Sequence, residues 1–229
     1  MACVIISIFG CQTTTEQKEC EMGLFDKILG RSEKTPQNQD KLYDKSTPAK
    51  TSKMMDEQQF WNIVERSLRN STNPDEQEAW LINELQKLSL EEIIGFRLRT
   101  DKLLYDTYTS EMWCAGFIMN EGCSDDGFEY FRCWVISRGE NVYNEAKKNP
   151  DSLISEVVDG QESYDFESFW YVALDAFHKK TGKDLYDYID YDKFKTREGH
   201  YPGLESNWES DQPETVKLIC PKLFQKICE

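Results

Sequence analysis

Helix-start signals are the feature of this sequence that most restricts its fold. A side chain that caps the first backbone N–H groups, with a Gln or Glu three residues further on, marks the beginning of a helix. Three such signals follow one another between residues 55 and 92, and the first is preceded by an apolar residue suited to a hydrophobic staple. The pairs are Asp56 with Gln59, Asn73 with Glu76, and Ser89 with Glu92. The sequence therefore predicts three consecutive helices in this region.

Apolar residues recur at helical spacing through most of the remaining chain, and strict alternation over a strand's length is not found before residue 183. We expect further helices at 111–120, 125–138, 141–148, 166–180 and 213–227, with Gly122, Gly139 and Gly182 as C-terminal stops. Residues 183–212 are aromatic and acidic and lack helical period. The predicted fold class is mainly α: a single compact multi-helix domain over residues 55–229, with an irregular aromatic excursion near the C-terminus.

The first 54 residues are predicted to lie outside this domain. Residues 1–21 admit two interpretations: a lipoprotein signal ending at Cys11 as the acylated residue, or a mis-assigned leader before a start at Met22. The second is favoured because no basic residue opens the segment. Residues 22–54 read as a short amphipathic segment followed by a disordered linker. A cytoplasmic location is expected, with lipid anchoring through Cys11 as the alternative.

The net charge of −15 is concentrated in the predicted domain. Residues 1–55 carry eight Lys and Arg against seven Asp and Glu, whereas residues 56–229 carry 19 against 35, a net of −16. Nucleic-acid binding depends on cations that neutralise phosphates, so such a domain is not expected to bind nucleic acid. No apolar run approaches the roughly 18 residues that a membrane span needs. A protein partner, basic in character, is compatible with this charge.

The eight cysteines do not form a recognisable metal site. No C-x-x-C pair occurs, and the chain has two histidines, His178 and His200. Cys114, Cys123 and Cys133 lie among apolar neighbours, which favours buried free thiols and a reducing compartment.

The stretch "GCSDDGFEYFRCW", residues 122–134, is the strongest candidate for a functional site. Its simplest interpretation is structural: Ser124 caps a helix whose first turn holds Asp125 and Asp126, where the helix dipole favours negative charge. Gly127 fits this interpretation poorly, because alanine is the better helix former, and close approach of a backbone or a ligand would explain it.

The functional interpretation gives the two aspartates a chemical role. A carboxylate pair can bind a hard cation or share a proton, while Arg132 binds an anionic group. The pair would need a further ligand, for which Glu111, Glu167 and Asp175 are available. No cofactor is predicted, and a divalent cation would bind at Asp125 and Asp126.

The run GCSDDGF…FR.W.I..G, with "FW" at 60–61 and "FWYVALDAFHKKTGK" at 169–183, resembles the bacterial domain-of-unknown-function family 4240. The resemblance runs from about residue 55 to about 180. It implies an α-helical domain and implies no activity. It directs attention to the motif residues Ser124, Asp125, Asp126, Gly127, Phe128, Arg132, Trp134 and Gly139. Glu121 stands where a second glycine is expected.

Three functional hypotheses follow. The favoured one is a protein-binding accessory protein, such as an inhibitor or an immunity-type factor, because the domain is acidic and lacks a complete catalytic set. The second is an enzyme or divalent-metal site built on Asp125, Asp126 and Arg132. The third is a lipid-anchored accessory protein, which requires Cys11.

Overall fold

The computed structural model describes residues 47–194 and 203–229, which form a helical domain. The predicted fold class is confirmed: these residues contain helices and one isolated bridge, with no strand among them. None of the helices in these ranges combines the length and the apolar character that a membrane span requires. The α-helices are α1 (Glu57–Arg69), α2 (Pro74–Leu85), α3 (Leu90–Asp106), α4 (Ser110–Met119), α5 (Asp125–Ser137), α6 (Glu140–Lys148), α7 (Val172–Thr181), α8 (Pro213–Ile219) and α9 (Pro221–Ile227). Within the same ranges, 3-10 helices span Pro150–Glu156, Glu167–Trp170 and Leu185–Tyr188.

The three predicted helix starts are confirmed in detail. The side chain of Asp56 accepts the backbone N–H of Gln59, and Asn73 accepts that of Glu76. Ser89 and Glu92 form a reciprocal capping box at the start of α3. Hydrogen bonds from the backbone and side chain of Ser89 lower the pKa of Glu92. The local sequence thus fixes where α1, α2 and α3 begin.

Two predicted helices are each divided in the structure. The segment 166–180 forms the 3-10 helix Glu167–Trp170 followed by α7, and 213–227 forms α8 and α9. Pro221 causes the second break, because proline lacks a backbone N–H and is tolerated at the first position of a helix but not in its interior. The prediction of one helix there was wrong.

The packed domain also takes in residues before Met55. Thr51 donates its N–H to Tyr188 O at 3.0 Å and accepts from Asp190 N at 2.9 Å. Met55 N then bonds to Gly95 O at 2.8 Å, and a Cβ on Gly95 would lie 2.9 Å from Met55 N. The excursion after α7 therefore pairs with the chain that precedes α1, and Gly95 permits the close approach to α3.

Helix α5 lies at the centre of the fold, against α3, α4, α6 and the 3-10 helix Glu167–Trp170. Its apolar face is fully buried, and Phe128 stacks on Trp113 with ring centroids 4.6 Å apart. A Cβ on Gly116 of α4 would lie 2.9 Å from the Phe131 ring. The two helices approach so closely because α4 presents no side chain at that point.

The C-terminal helices are held by residues distant in sequence. Buried Asp151 accepts the backbone N–H groups of Lys222 and Leu223, each at 2.9 Å, and so caps α9 from outside the helix. A hydrogen bond with Cys114, together with burial, raises the pKa of Cys220. The predicted free thiols are confirmed for Cys114, Cys123 and Cys133, of which Cys123 is half-buried.

Candidate functional site

The start of α5 is the helix cap that the sequence predicts. Ser124 Oγ accepts the N–H of Gly127 at 3.1 Å, and Asp125 and Asp126 are exposed in the first turn. A Cβ on Gly127 would meet Ser124 Oγ at 3.2 Å and Cys123 Sγ at 3.8 Å. The atoms nearest to this position belong to the cap itself, and no backbone from elsewhere in the described residues lies within 4 Å of it, whereas approach of a ligand stays a prediction.

The loop before this helix shows why a glycine would suit the position of Glu121, where the chain departs from the family pattern. Glu121 has φ 52°, a left-handed conformation that glycine adopts without strain, and Gly122 has φ 134°. The N–H of Gly122 bonds to Phe117 O at 2.9 Å and closes the end of α4. The glycine expected at Glu121 would therefore relieve backbone strain.

Arg132 points into the domain and away from the two aspartates' exposed surface. Its side chain is buried, with Nε donating to Phe128 O at 3.2 Å and Nη1 donating to Leu104 O. The guanidinium lies 4.4 Å from the Phe128 ring centroid and 5.0 Å from that of Tyr108. In this position it fastens α5 to the end of α3 and cannot clamp an external anion.

The enzyme or metal hypothesis required both aspartates to line a pocket with a third acid or a histidine. Among the described residues, no group of three or more His, Cys, Asp or Glu side chains is arranged to hold a metal ion. Of the proposed further ligands, Glu111 accepts from Asn207 Nδ2 at 2.8 Å, and Glu167 bonds to Tyr130. The geometry that this hypothesis required is not met within these ranges. Cys11 and His200 lie outside the described residues.

A buried cluster of charged residues that the sequence analysis missed lies behind α5. Arg97 is fully buried on α3 and faces Asp101 at 2.8 Å, as an ion pair rather than through an aligned hydrogen bond. Its Nη1 donates to Trp170 O at 2.7 Å, and its guanidinium lies 3.6 Å from the Trp170 ring centroid. Burial raises the pKa of nearby Cys133 to about 12. The i, i+4 spacing in "RLRTD" was the available signal.

This cluster determines where the 3-10 helix Glu167–Trp170 meets α7. Arg97 holds the carbonyl and the ring of Trp170, and Tyr171 follows directly with 41% of its surface exposed. The backbone N–H of Phe166 bonds to Tyr130 O at 3.1 Å, which joins the same segment to α5. Side chains from α5 and from residues 167–171 therefore share one surface.

We call this surface the acidic tyrosine face and define it by Asp126, Tyr130, Glu167 and Tyr171. A hydrogen bond donated by the Tyr130 hydroxyl to Glu167 raises the pKa of the tyrosine to about 12, and the charge on Asp126 adds to the effect. Among the described residues, no Lys or Arg lies within 4.0 Å of the carboxylates of Asp126 and Glu167. The face thus offers carboxylates and phenol groups that no cation of the described domain neutralises.

The sequence signal for this face was the absence of Lys and Arg from two long stretches of the chain. Residues 103–131 contain six acidic residues and residues 149–178 contain seven, and neither stretch contains a Lys or Arg. Tyr164 N bonds to Asn120 Oδ1 at 2.7 Å, so the two stretches are also in contact beyond α5. Net charge alone did not reveal that the two stretches without cations meet.

Trp134, the remaining candidate residue, reaches a different place. Nine positions separate it from Asp125, about 13 Å along a helix axis. With Arg138 it borders a cavity of about 360 Å³ between the start of α2, the end of α5 and residues 156–166. Gln77, Glu156 and Phe166 also line this cavity. The structure therefore divides the predicted cluster between an exposed helix start, the core and a cavity.

These features describe an all-α domain with an acidic aromatic surface and a small polar cavity. The family model described as "Protein of unknown function (DUF4240)" matches residues 55–179, more than half of the chain. The chain belongs to that family, as the resemblance of the motif predicted. No curated protein and no solved structure matches it.

Proposed function

We propose that this chain is a protein-binding accessory protein, of the inhibitor or immunity type, and that its acidic tyrosine face engages a basic protein. The observation that carries the proposal is the pairing of unneutralised carboxylates with one exposed and one half-buried tyrosine, Tyr171 and Tyr130, on one surface. Tyrosine is enriched in the energetically important part of protein interfaces because it buries a large ring and keeps a polar end.

The chemistry of the face favours a partner rich in Lys or Arg. Asp126 and Glu167 offer carboxylates for charge-assisted hydrogen bonds, and the rings of Tyr130 and Tyr171 offer faces for cation–π contacts. Charge complementarity of this kind accelerates association and depends on ionic strength. The domain's net charge would attract a basic protein over a longer range.

The position of the face on ordered elements adds to this support. Tyr130 lies on α5, and Glu167 and Tyr171 are fixed by the contact of Trp170 with Arg97. A surface already held in its binding conformation loses little conformational entropy on association.

Two matched variants test the proposal. The face variant carries Asp126→Asn, Glu167→Gln and Tyr171→Ser. The control carries Asp192→Asn, Glu205→Gln and Tyr191→Ser, which removes the same charges and a tyrosine that is also 41% exposed. Proteins of the source cell captured by the unmodified chain would be identified, purified and titrated against all three forms.

We expect a basic protein that binds the unmodified chain and the control with equal affinity. The face variant should bind it at least about tenfold more weakly, and added salt should reduce the affinity of the unmodified chain most. Equal affinity of the face variant and the control, or no protein that binds after purification, would contradict the proposal.

A further inference from the structure

The cavity that Trp134 borders contains a polar group whose orientation is fixed. Gln77 is 4% exposed, and its Nε2 donates to Ser67 Oγ at 2.9 Å and to Ser137 O at 3.0 Å. Ser67 Oγ gives its own hydrogen to Val64 O at 2.6 Å, so it can only accept from Gln77. Because both neighbours need a donor, the nitrogen of the Gln77 amide must face them.

The amide oxygen of Gln77 is therefore the group that the cavity can use. Within residues 47–194 and 203–229, no donor bonds to Gln77 Oε1. This oxygen is also not fully shielded from solvent. A buried residue that keeps one acceptor open to a cavity provides a fixed hydrogen-bond acceptor for a bound molecule.

Arg138 supplies donors in the same cavity. Its Nε pairs with Glu156 Oε2 at 2.9 Å, which leaves both Nη nitrogens without a bond to a described residue. A guanidinium held along one edge presents its other donors in a set direction. Apolar surface lies beside these groups, from Trp134, Phe166 and Val158.

Electrostatics limits the charge of the molecule that fits. The guanidinium of Arg138 repels a cation, while Glu156 and the net charge of −15 oppose an anion. A neutral group that both donates and accepts suits Gln77 Oε1 and Arg138 Nη together. The carboxamide group combines an NH₂ donor with a C=O acceptor in one plane.

We propose that this cavity binds a neutral primary carboxamide, as carried by a Gln or Asn side chain. The NH₂ group donates to Gln77 Oε1, the C=O accepts from Arg138 Nη, and the attached alkyl chain packs on Trp134 and Phe166. A cavity of about 360 Å³ lies within the size range of small-molecule sites. This inference does not rest on the proposed function, because a free carboxamide tests the cavity without the partner protein.

Three probes with the same alkyl chain test the chemistry: hexanamide, hexanoate and hexylammonium. Each would be titrated into the full ¹⁵N-labelled chain at millimolar concentration, with the NMR signals of the Gln77 side-chain amide, Arg138 Nε–H and Val158 N–H as readouts. We expect saturable shifts with hexanamide and none with the two charged probes. Equal shifts with all three, or no shift with hexanamide, would overturn the inference.

Variants locate the site and separate it from the face. Arg138→Met should weaken hexanamide binding roughly tenfold or more, whereas Arg66→Met, which removes another partly exposed, ion-paired arginine, should not. Val158→Trp should fill the mouth of the cavity and abolish binding, because Val158 is 59% exposed there. The face variant should bind hexanamide normally, so failure of one proposal leaves the other open to its own test. Unchanged binding in Arg138→Met would also overturn the inference.

A last comparison identifies the source of the carboxamide. Free L-glutamine carries charged groups on the backbone, whereas N-acetyl-glutamine-N-methylamide resembles a residue within a polypeptide. Stronger binding of the second compound assigns the site to a Gln or Asn side chain of a protein, and stronger binding of the first assigns it to a free amino acid. If neither binds, a Gln or Asn side chain is ruled out as the ligand.

Discussion

The charged residues in the two halves of α5 differ in their burial. At the start, Asp125 and Asp126 are exposed, and no cation of the described domain pairs with them. In the second half, Arg132 is buried and bonds to two backbone carbonyls. The buried charge stabilises the fold through these hydrogen bonds, whereas the exposed charges remain available to a partner. A motif read as one cluster in the sequence thus serves two separate purposes.

The same distinction holds outside α5. Arg97, Asp101 and Asp151 are buried and have partners within the domain, and Arg97 and Asp151 connect elements that are distant in sequence. The acidic tyrosine face, in contrast, can lose a charge without leaving a buried group unpaired. Substitutions in the two classes should therefore differ in their effects on stability.

The largest expected effect is that of Asp101→Asn. Removal of this charge leaves the Arg97 guanidinium buried without its counter-ion, and breaking a buried pair in this way costs about 3–5 kcal/mol. Urea denaturation followed by circular dichroism would measure the change in the free energy of unfolding. The double variant Arg97→Met/Asp101→Leu should recover much of the loss. A loss below about 1 kcal/mol in Asp101→Asn would contradict the buried ion pair.

Asp151→Ala should have the next largest effect. It removes two hydrogen bonds from a charged acceptor and leaves the start of α9 uncapped, at a cost of about 1.5–3 kcal/mol. Hydrogen exchange should show faster opening of α9 than of α3. Asp159→Ala provides the control, because Asp159 is an exposed partner of Lys226 and its loss should have a much smaller effect on stability. Equal effects of the two substitutions would exclude a capping role for Asp151.

Asp125→Asn and Asp126→Asn should each lower stability by less than about 1 kcal/mol, because they remove only a favourable interaction with the helix dipole. Ser124→Ala should cost about as much or more, since it removes the cap itself. Thermal unfolding at low ionic strength would rank the three variants. A loss above about 2 kcal/mol for either aspartate would mean that its charge has a partner inside the domain.

The smallest expected effect on stability is that of Tyr130. Its titration should show whether Tyr130 and Glu167 are in contact in the acidic tyrosine face. Its pKa is raised to about 12 by Glu167, so the folded state retains this proton at a pH where the unfolded chain has lost it. The stabilisation is fully present below about pH 10 and is lost as the pH rises through 12. NMR titration should show the pKa falling toward 10 in Glu167→Gln, while Asp192→Asn leaves it unchanged. An unaltered titration in Glu167→Gln would remove Glu167 from the face.

The sequence predicted much of the fold because helix caps are local. Ser89 and Glu92, three positions apart, can bond whatever the rest of the chain does, and the family motif was also readable from adjacent residues. Prediction failed where a residue acts over a distance. Gly116 looks unremarkable in sequence, but the Phe131 ring lies against it. The cap of α9 comes from Asp151, far earlier in the chain, and no local pattern announces it.

The sequence by itself determined that this chain is helical, where α1, α2, α3 and α5 begin, and that its folded part is strongly acidic. These properties depend on neighbours in sequence or on counting charges. Only the tertiary structure decided which charges are buried, that Tyr130 and Glu167 meet, and that the oxygen of Gln77 opens on a cavity. Burial and distance set the free energy of a charge or a hydrogen bond, and packing between elements distant in sequence sets both.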